Sequence, residues 1–502
     1  MRGVPSLITD IRKKVFTEVA RMAYSGNGYE CADDLPYIIV PGDQPLHRES
    51  VFLERAIASE RVRLAMGLNL RPIQTRHLMT EGMDHAAIAE QYYEPPLINI
   101  IPYACHACPT NQYRVTENCQ NCLAASCQKV CPKGAISFVN GKSMIDQEKC
   151  IKCGKCATAC PYNAIIHMQR PCQAACGMDA IGSDEHGRAV INQDKCVSCG
   201  QCLVSCPFGA IADKGQIYQV IQSILKGDQV IAIVAPAFIG QFGKHSTPEK
   251  FVSAMKVLGF DRVVEVAVGA DMCTIEEARD FLEKVPAEQP FMATSCCPAW
   301  HSMVHKLFPA QSGNISMTLT PMVFTARLMK KEHPGCKVVF VGPCAAKKLE
   351  AIRADIRSDV DFVLTFEELQ GMFEAKEVDF ATIEPSEIVN EGTAAGRGFA
   401  VSGGVAQAVT DLIHQTNPEV EVKTARAEGL RECRKLMTLA KVGKYNGYLL
   451  EGMACPGGCV AGAGTLLPVE LAAQVVGRYQ KETDRVSPMD SAYRDTGKSL
   501  EE

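Results

Sequence analysis

Sixteen of the chain's 25 cysteines fall between Cys105 and Cys206, with one before them and eight after. Disulfide frameworks of that density belong to small secreted domains. This chain has 502 residues, and its opening, MRGVPSLITDIRKKVFTEVARMAYS, shows neither an apolar signal core nor a twin arginine. Reduced thiolates holding metal in a cytoplasmic protein are therefore the expectation. The charge balance, 52 basic against 57 acidic side chains for a net −5, contains no basic run and argues against a nucleic-acid binder. No apolar stretch approaches the about 18 residues of a membrane span.

At about 150 residues per domain the length predicts roughly three domains. Residues 1–100 read as a partly helical segment of unassigned role, its clearest helix in RESVFLERAIASERVRLAMGLNL. Residues 101–215 form the cysteine-dense block. From 216 to 470 the runs QVIAIVAPAF, DRVVEVAVG, PFMATS and KVVFVGP read as short buried strands alternating with helices, the mark of an α/β domain with parallel sheets. Residues 471–502 read as a polar, helix-prone tail. The fold class expected is multidomain α/β, with ferredoxin-like α+β iron–sulfur units preceding an α/β domain.

Two segments match the bacterial ferredoxin run C-x2-C-x2-C-x3-C-P without a gap: Cys150, Cys153, Cys156, Cys160 and Cys196, Cys199, Cys202, Cys206. A third, Cys119, Cys122, Cys127, Cys131, has two extra residues in its middle spacing. Short spacings let one loop wrap three corners of a cubane, while the fourth cysteine reaches a neighbouring cluster. Structural zinc is the alternative for paired C-x2-C motifs, but it does not ask for three cysteines at this spacing followed by x3-C-P. Ligand exchange then groups Cys119, Cys122, Cys127 with Cys160, and Cys150, Cys153, Cys156 with Cys131. The segment PCQAACGMDAI resembles a second half-motif, with Gly177 where proline is usual, and Cys105 and Cys108 supply a first half. That gives Cys105, Cys108, Cys172 with Cys206, and Cys196, Cys199, Cys202 with Cys176. One two-cluster unit is thus inserted inside another, and sixteen cysteines divide into four [4Fe–4S] clusters. Four clusters form a one-electron relay. No P-loop or dinucleotide fingerprint accompanies them.

Three further motifs follow: Thr294-Ser-Cys296-Cys297-Pro298-Ala-Trp300, Gly342-Pro343-Cys344-Ala-Ala-Lys347-Lys348-Leu-Glu350, and Glu451-Gly-Met453-Ala-Cys455-Pro-Gly-Gly-Cys459. From residue types alone, thiolates on three loops can hold one more buried cluster, structural or catalytic. The motifs resemble, in order, the TSCCPxW, PCxxKxxE and ExMACxxGC signatures of the [FeFe] hydrogenases, over roughly residues 216–470. That resemblance implies an H-cluster whose cubane is held by Cys297, Cys344, Cys455 and Cys459. Cys459 would also bridge to a di-iron unit carrying CO, cyanide and a dithiolate amine. It implies that Cys296 delivers protons, that Lys347 hydrogen-bonds a cyanide, and that Met453 and Phe399 pack around the di-iron site. Glu276 resembles the next group on the proton path, with an exposed helix carboxylate as the alternative, and Ser316 is a candidate serine step. A solvated surface lysine is the alternative for Lys347.

Gly342 before Pro343-Cys344, Ala237 after Ala235-Pro236, and Gly462-Ala463-Gly464-Thr465 after the last motif resemble the group B branch. The resemblance implies reversible reduction of protons to H2 with electrons from a ferredoxin or similar small carrier. It also implies dedicated maturation proteins. A hydrogen sensor and an iron–sulfur electron-transfer or cluster-assembly relative without the di-iron unit are the rival readings. Cys31, Cys273, Cys336 and Cys433 read as plain thiols.

Overall fold

The computed structural model describes residues 3–86, 93–386 and 392–501. The apolar runs after residue 216 build two separate parallel sheets. In the first, Val230–Val234 is wholly buried and has Arg262–Glu265 on one side and Lys337–Gly342 on the other, with Phe362–Thr365 beyond. In the second, Tyr448–Met453 lies between Met292–Ala293 and Lys423–Glu428. Near-continuous Val, Ile and Leu runs suit strands covered on both faces.

DRVVEVAVG yields a shorter strand than the sequence suggests. It ends at Glu265, and the helix Ala267–Lys284 begins two residues later. Gly269 explains the switch: this turn lies so close to the helix Pro321–Glu332 that an added Cβ would sit 2.1 Å from the Pro321 carbonyl oxygen. Tight helix–helix contact overrides the β preference of the valines.

The cysteine block is topologically nested. Ile98–Ile100 pairs antiparallel with Ile211–Asp213 and closes an outer unit, which also contains the hairpin Ile181–Ser183 with Ala189–Ile191. Within it, Gln112–Val115 pairs with Ile165–Met168 around the hairpin Ile136–Val139 with Lys142–Ile145.

Both ends of the chain pack onto the α/β region. The helix Leu7–Tyr24, capped by Ser6 and Thr9, places Val15, Val19 and Ala20 in one core with Val230, Ala232 and Phe366. The helix Val51–Ala65 lies inside RESVFLERAIASERVRLAMGLNL, as its apolar spacing suggests. The segment read as a polar tail begins with the helix Val469–Gln480, whose Ala472, Val476 and Tyr479 join that core. Beneath it, Arg397 makes a two-pronged ion pair with Glu265, both contacts at 3.1 Å, and lies 3.7 Å from the Tyr479 ring centre. The Tyr479 hydroxyl donates to the same carboxylate.

A buried charge cluster joins the nested block to the α/β region. The fully buried Lys348 ammonium donates to Asp213 at 2.7 Å, to Glu368 at 3.0 Å and to the Lys214 carbonyl at 2.7 Å. Arg12 adds Glu367 at 2.5 Å and Asp213 at 3.4 Å. Burial alone would raise the Asp213 carboxyl, but Lys348 and then Arg12 reverse this and hold it below its ordinary value.

Two outcomes follow from these contacts. Arg397→Met leaves Glu265 buried and unpaired, which costs about 3–5 kcal/mol. It lowers the denaturation midpoint and speeds amide exchange within Val469–Gln480. Gly452→Ala sets a Cβ 2.2 Å from the Trp300 indole. It therefore lowers the melting temperature and alters tryptophan fluorescence, the chain having one tryptophan.

Candidate metal centres

Four copies of one turn carry the sixteen cysteines. The residue two past each leading cysteine is left-handed: Ala107 (φ 44°), Asn121 (49°), Lys152 (59°) and Ser198 (52°). Past each closing cysteine, the amide four residues on donates to the sulfur, Ala135 to Cys131, Ala164 to Cys160, Ala180 to Cys176 and Ala210 to Cys206, at 3.3–3.4 Å. Cys105-x2-Cys108 and Cys172-x3-Cys176 thus share the backbone of the ungapped runs despite lacking their full spacing.

Cys119, Cys122, Cys127 and Cys160 line one small cavity, and Cys105, Cys108, Cys172 and Cys206 line another. Burial and then the Cys150 and Cys131 charges raise the Cys156 thiol, while Cys153 is exposed on the same loop. Burial raises Cys202 far above its ordinary value, followed by Cys199, Cys196, Cys176 and Cys172. Each group is a set of thiols outside any disulfide, two of them around a small apolar hollow, the donor chemistry that a [4Fe–4S] cluster takes.

The three later motifs lie at carboxyl ends of strands, where open parallel sheets place their chemistry. Cys344 follows Lys337–Gly342 of the first sheet, Cys296 and Cys297 follow Met292–Ala293 of the second, and Cys455 follows Tyr448–Met453. The two sheets thus bring Cys297, Cys344, Cys455 and Cys459 together. Burial raises the Cys344 and Cys459 thiols to about 12, with neighbouring cysteines adding and Lys347 opposing. Such a set retains its protons until a cationic core replaces them, so these residues fit an iron–sulfur cubane.

Around this set, Met453 and Phe399 are buried in the core against which Cys296 and Cys297 pack. Lys347 is buried, with its ammonium 2.5 Å from Glu350 and 3.4 Å from the Thr320 hydroxyl. Glu451 has no exposed surface, and its carboxylate accepts the Gly403 and Ala406 amides at 2.6 and 2.8 Å, fixing the loop beside Phe399. Trp300 donates from its indole to the Thr294 carbonyl at 3.0 Å.

The carboxylate facing Cys296 is Glu277, and the expectation for Glu276 is corrected. Successive helix residues point about 100° apart. Glu276 is buried as well, but its carboxylate pairs with Arg279 and lies under Gly497. Glu277 turns inward, accepts the Ser295 amide at 3.2 Å and adds its charge to that raising the Cys296 thiol. Burial pushes Glu277 up to about 7, against the lowering effect of Ser295 and Ser316. One turn further on, Asp280 pairs with Lys284 at 2.8 Å near the surface.

The cysteine block meets this site directly. The Gln201 side-chain amide, between Cys199 and Cys202, donates to the Cys455 sulfur at 3.2 Å. Cys297 is among the charges that raise Cys199. No sequence motif marks this contact, because nothing local distinguishes Gln201 from an exposed glutamine.

Residues 228–463 match the family described as iron only hydrogenase large subunit, C-terminal domain, and residues 144–166 and 189–212 match the 4Fe-4S binding domain. Iron hydrogenase 1 of Clostridium pasteurianum is 29% identical over 73% of this chain and 73% of its own. The cytosolic Fe-S cluster assembly factor narfl of Danio rerio is 28% identical over 50% of this chain and 75% of its own. Of two other hydrogenase relatives the chain spans 62% and 52%. A solved variant of [FeFe]-hydrogenase HydA1 from Chlamydomonas reinhardtii aligns over 54% of this chain and 90% of its own, at TM-score 0.45 and 22% identity. With three motifs on converging strand ends and a family match over residues 228–463, the chain is an [FeFe]-hydrogenase-like, [4Fe–4S]-binding protein.

Proposed function

We propose that the chain is a ferredoxin-linked [FeFe] hydrogenase catalysing 2H⁺ + 2e⁻ ⇌ H2. The observation that carries this is Cys296, a half-buried thiol beside the four-cysteine set but outside it, with Glu277 among the charges that raise it. A structural cluster has no use for such a thiol.

In this reading residues 101–215 form the relay, residues 216–470 hold the reaction site, and residues 1–100 and 471–502 pack against them. Cys297, Cys344, Cys455 and Cys459 would hold the H-cluster. When bound, that group supplies the metal site at which protons and electrons combine. The protein's own residues supply the rest. The Cys296 sulfur holds a proton because burial disfavours its thiolate. The Glu277 carboxylate takes up that proton or returns it, with Ser316 and Asp280 beside it on the way to solvent. Lys347, steadied by Glu350 and Thr320, presents a cation to an anionic ligand such as cyanide. Met453 and Phe399 limit water. A small carrier such as ferredoxin would supply the electrons, and Gln201, donating to the Cys455 sulfur, lies where the cysteine block meets the site. Maturation proteins for the di-iron unit and a cytoplasmic setting complete the proposal. Among the described residues no helix is long and apolar enough to cross a membrane.

The cluster-assembly likeness favours a second reading, in which the di-iron unit is never taken up. The deciding experiment is H2 evolution from reduced viologen after anaerobic loading with a synthetic di-iron complex. Turnover is expected, lost in Cys459→Ser and reduced about 10²- to 10⁴-fold in Cys296→Ala, the range for a positioned proton donor. Glu277→Gln falls at least tenfold, whereas Glu276→Gln stays near wild type. No turnover with confirmed di-iron incorporation moves the assignment to a sensor, and failure of uptake moves it to the assembly reading.

Gln201→Leu removes a hydrogen bond to a cluster-bearing sulfur. The expected result is a lower cubane reduction potential in redox-poised EPR, with accessory iron content unchanged.

A further inference from the structure

Two arginines lie buried against one of the four cysteine sets. Arg61, on the helix Val51–Ala65, is 7% exposed and donates from its guanidinium to the Gly209 carbonyl. The next amide, that of Ala210, donates to the Cys206 sulfur at 3.4 Å. Arg170 is 1% exposed and donates to the Cys108 carbonyl at 3.1 Å, to the Gly182 and Gly187 carbonyls at 2.8 and 2.6 Å, and to the Ser183 hydroxyl.

Among the described residues the hydrogen bonds of both guanidiniums go to uncharged oxygens, and the Nε of each has no partner. Buried cations are ordinarily paired with carboxylates. Here Lys348 and Arg12 take Asp213, Glu367 and Glu368, and Arg397 takes Glu265. Burial lowers Arg61 to about 10, with Arg12 and Arg48 adding to the fall and the Cys206 sulfur opposing it. The Cys196 set, by contrast, has an exposed lysine, Lys306, bonded to the Asp194 and Cys196 carbonyls.

We propose that Arg61 and Arg170 are the counter-charge of the cluster held by Cys105, Cys108, Cys172 and Cys206, and set it at the highest reduction potential of the four accessory clusters. This rests on the reading that those cysteines hold a [4Fe–4S] cluster. Adding an electron makes a cluster more negative, and two fixed cations in a low-dielectric setting stabilise that reduced form. The cluster fills first and acts as the electron reservoir of the relay. It lies next to the Cys176, Cys196, Cys199, Cys202 set, since Cys172 is among the charges that raise Cys202. Residues 1–100 thereby gain an electrochemical role, because Arg61 comes from that segment.

The test is redox-poised EPR on the full chain carrying its accessory clusters and no di-iron unit. Cys206→Ser identifies the signal of this cluster. In the wild-type chain that signal is expected first as the potential is lowered. Arg61→Gln keeps an amide donor for Gly209 but removes the charge, so this one midpoint moves to lower potential while the others stay. Arg61→Lys keeps the charge and the wild-type midpoint. The proposal is overturned if the signal is not the first to appear, if Arg61→Gln leaves it in place or shifts all signals together, or if Arg61→Lys falls as far as Arg61→Gln. Absence of any [4Fe–4S] signal at full iron loading would remove the cluster reading itself, a result distinct from each of these.

Discussion

A buried sulfur beside other buried sulfurs cannot ionise readily, because burial and each neighbouring negative charge oppose the next one. Cys344 and Cys459 are in that position, and the layout of the α/β region places them there. Two parallel sheets point their carboxyl ends at one volume, so loops far apart in sequence deliver thiols to a common centre. The residues around them do the complementary work. Glu451 fixes a loop through two amides, Trp300 fills the space that Gly452 leaves, and Lys347 offers a positive charge against the sulfurs.

The two parts of the molecule are joined by different physics on either side of the interface. At Lys348, Asp213, Glu368 and Arg12, the join is a buried ionic cluster in which each charge has a partner. Next to the cysteines it is close backbone approach and one sulfur-directed hydrogen bond, from Gln201 to Cys455. An added Cβ at Gly200 would sit 2.5 Å from that of Ala463, so this second contact leaves no room for a spacer. The ionic join and this close approach together hold the cysteine block against the α/β region.

The cysteine spacings made the ferredoxin-type loops legible because cluster geometry dictates those intervals directly. The strands were legible from buried β-branched runs, although Gly269 ended one of them early for a packing reason invisible in a local window. Glu276 and Glu277 show the limit of counting along a chain: adjacent carboxylates on one helix differ only in the direction they face, and Ser295 decides between them. Arg61, Arg170, Gln201 and Lys348 were illegible for a related reason. Their significance lies in partners 135 to 254 residues away or in the absence of a carboxylate, and neither leaves a periodic trace.

The nesting of the cysteine block has a consequence for how such a chain can vary. The inner unit leaves and returns through paired strands, with Gln112 opposite Met168, while the outer unit closes on itself through Ile98–Ile100 and Ile211–Asp213. The excursion between residues 112 and 168 is therefore a removable part: a short bridge across its base would leave the outer fold's pairing intact. Lengthening or shortening the cysteine block becomes an insertion or a deletion at the base of two paired strands, with the closure of the outer unit unchanged.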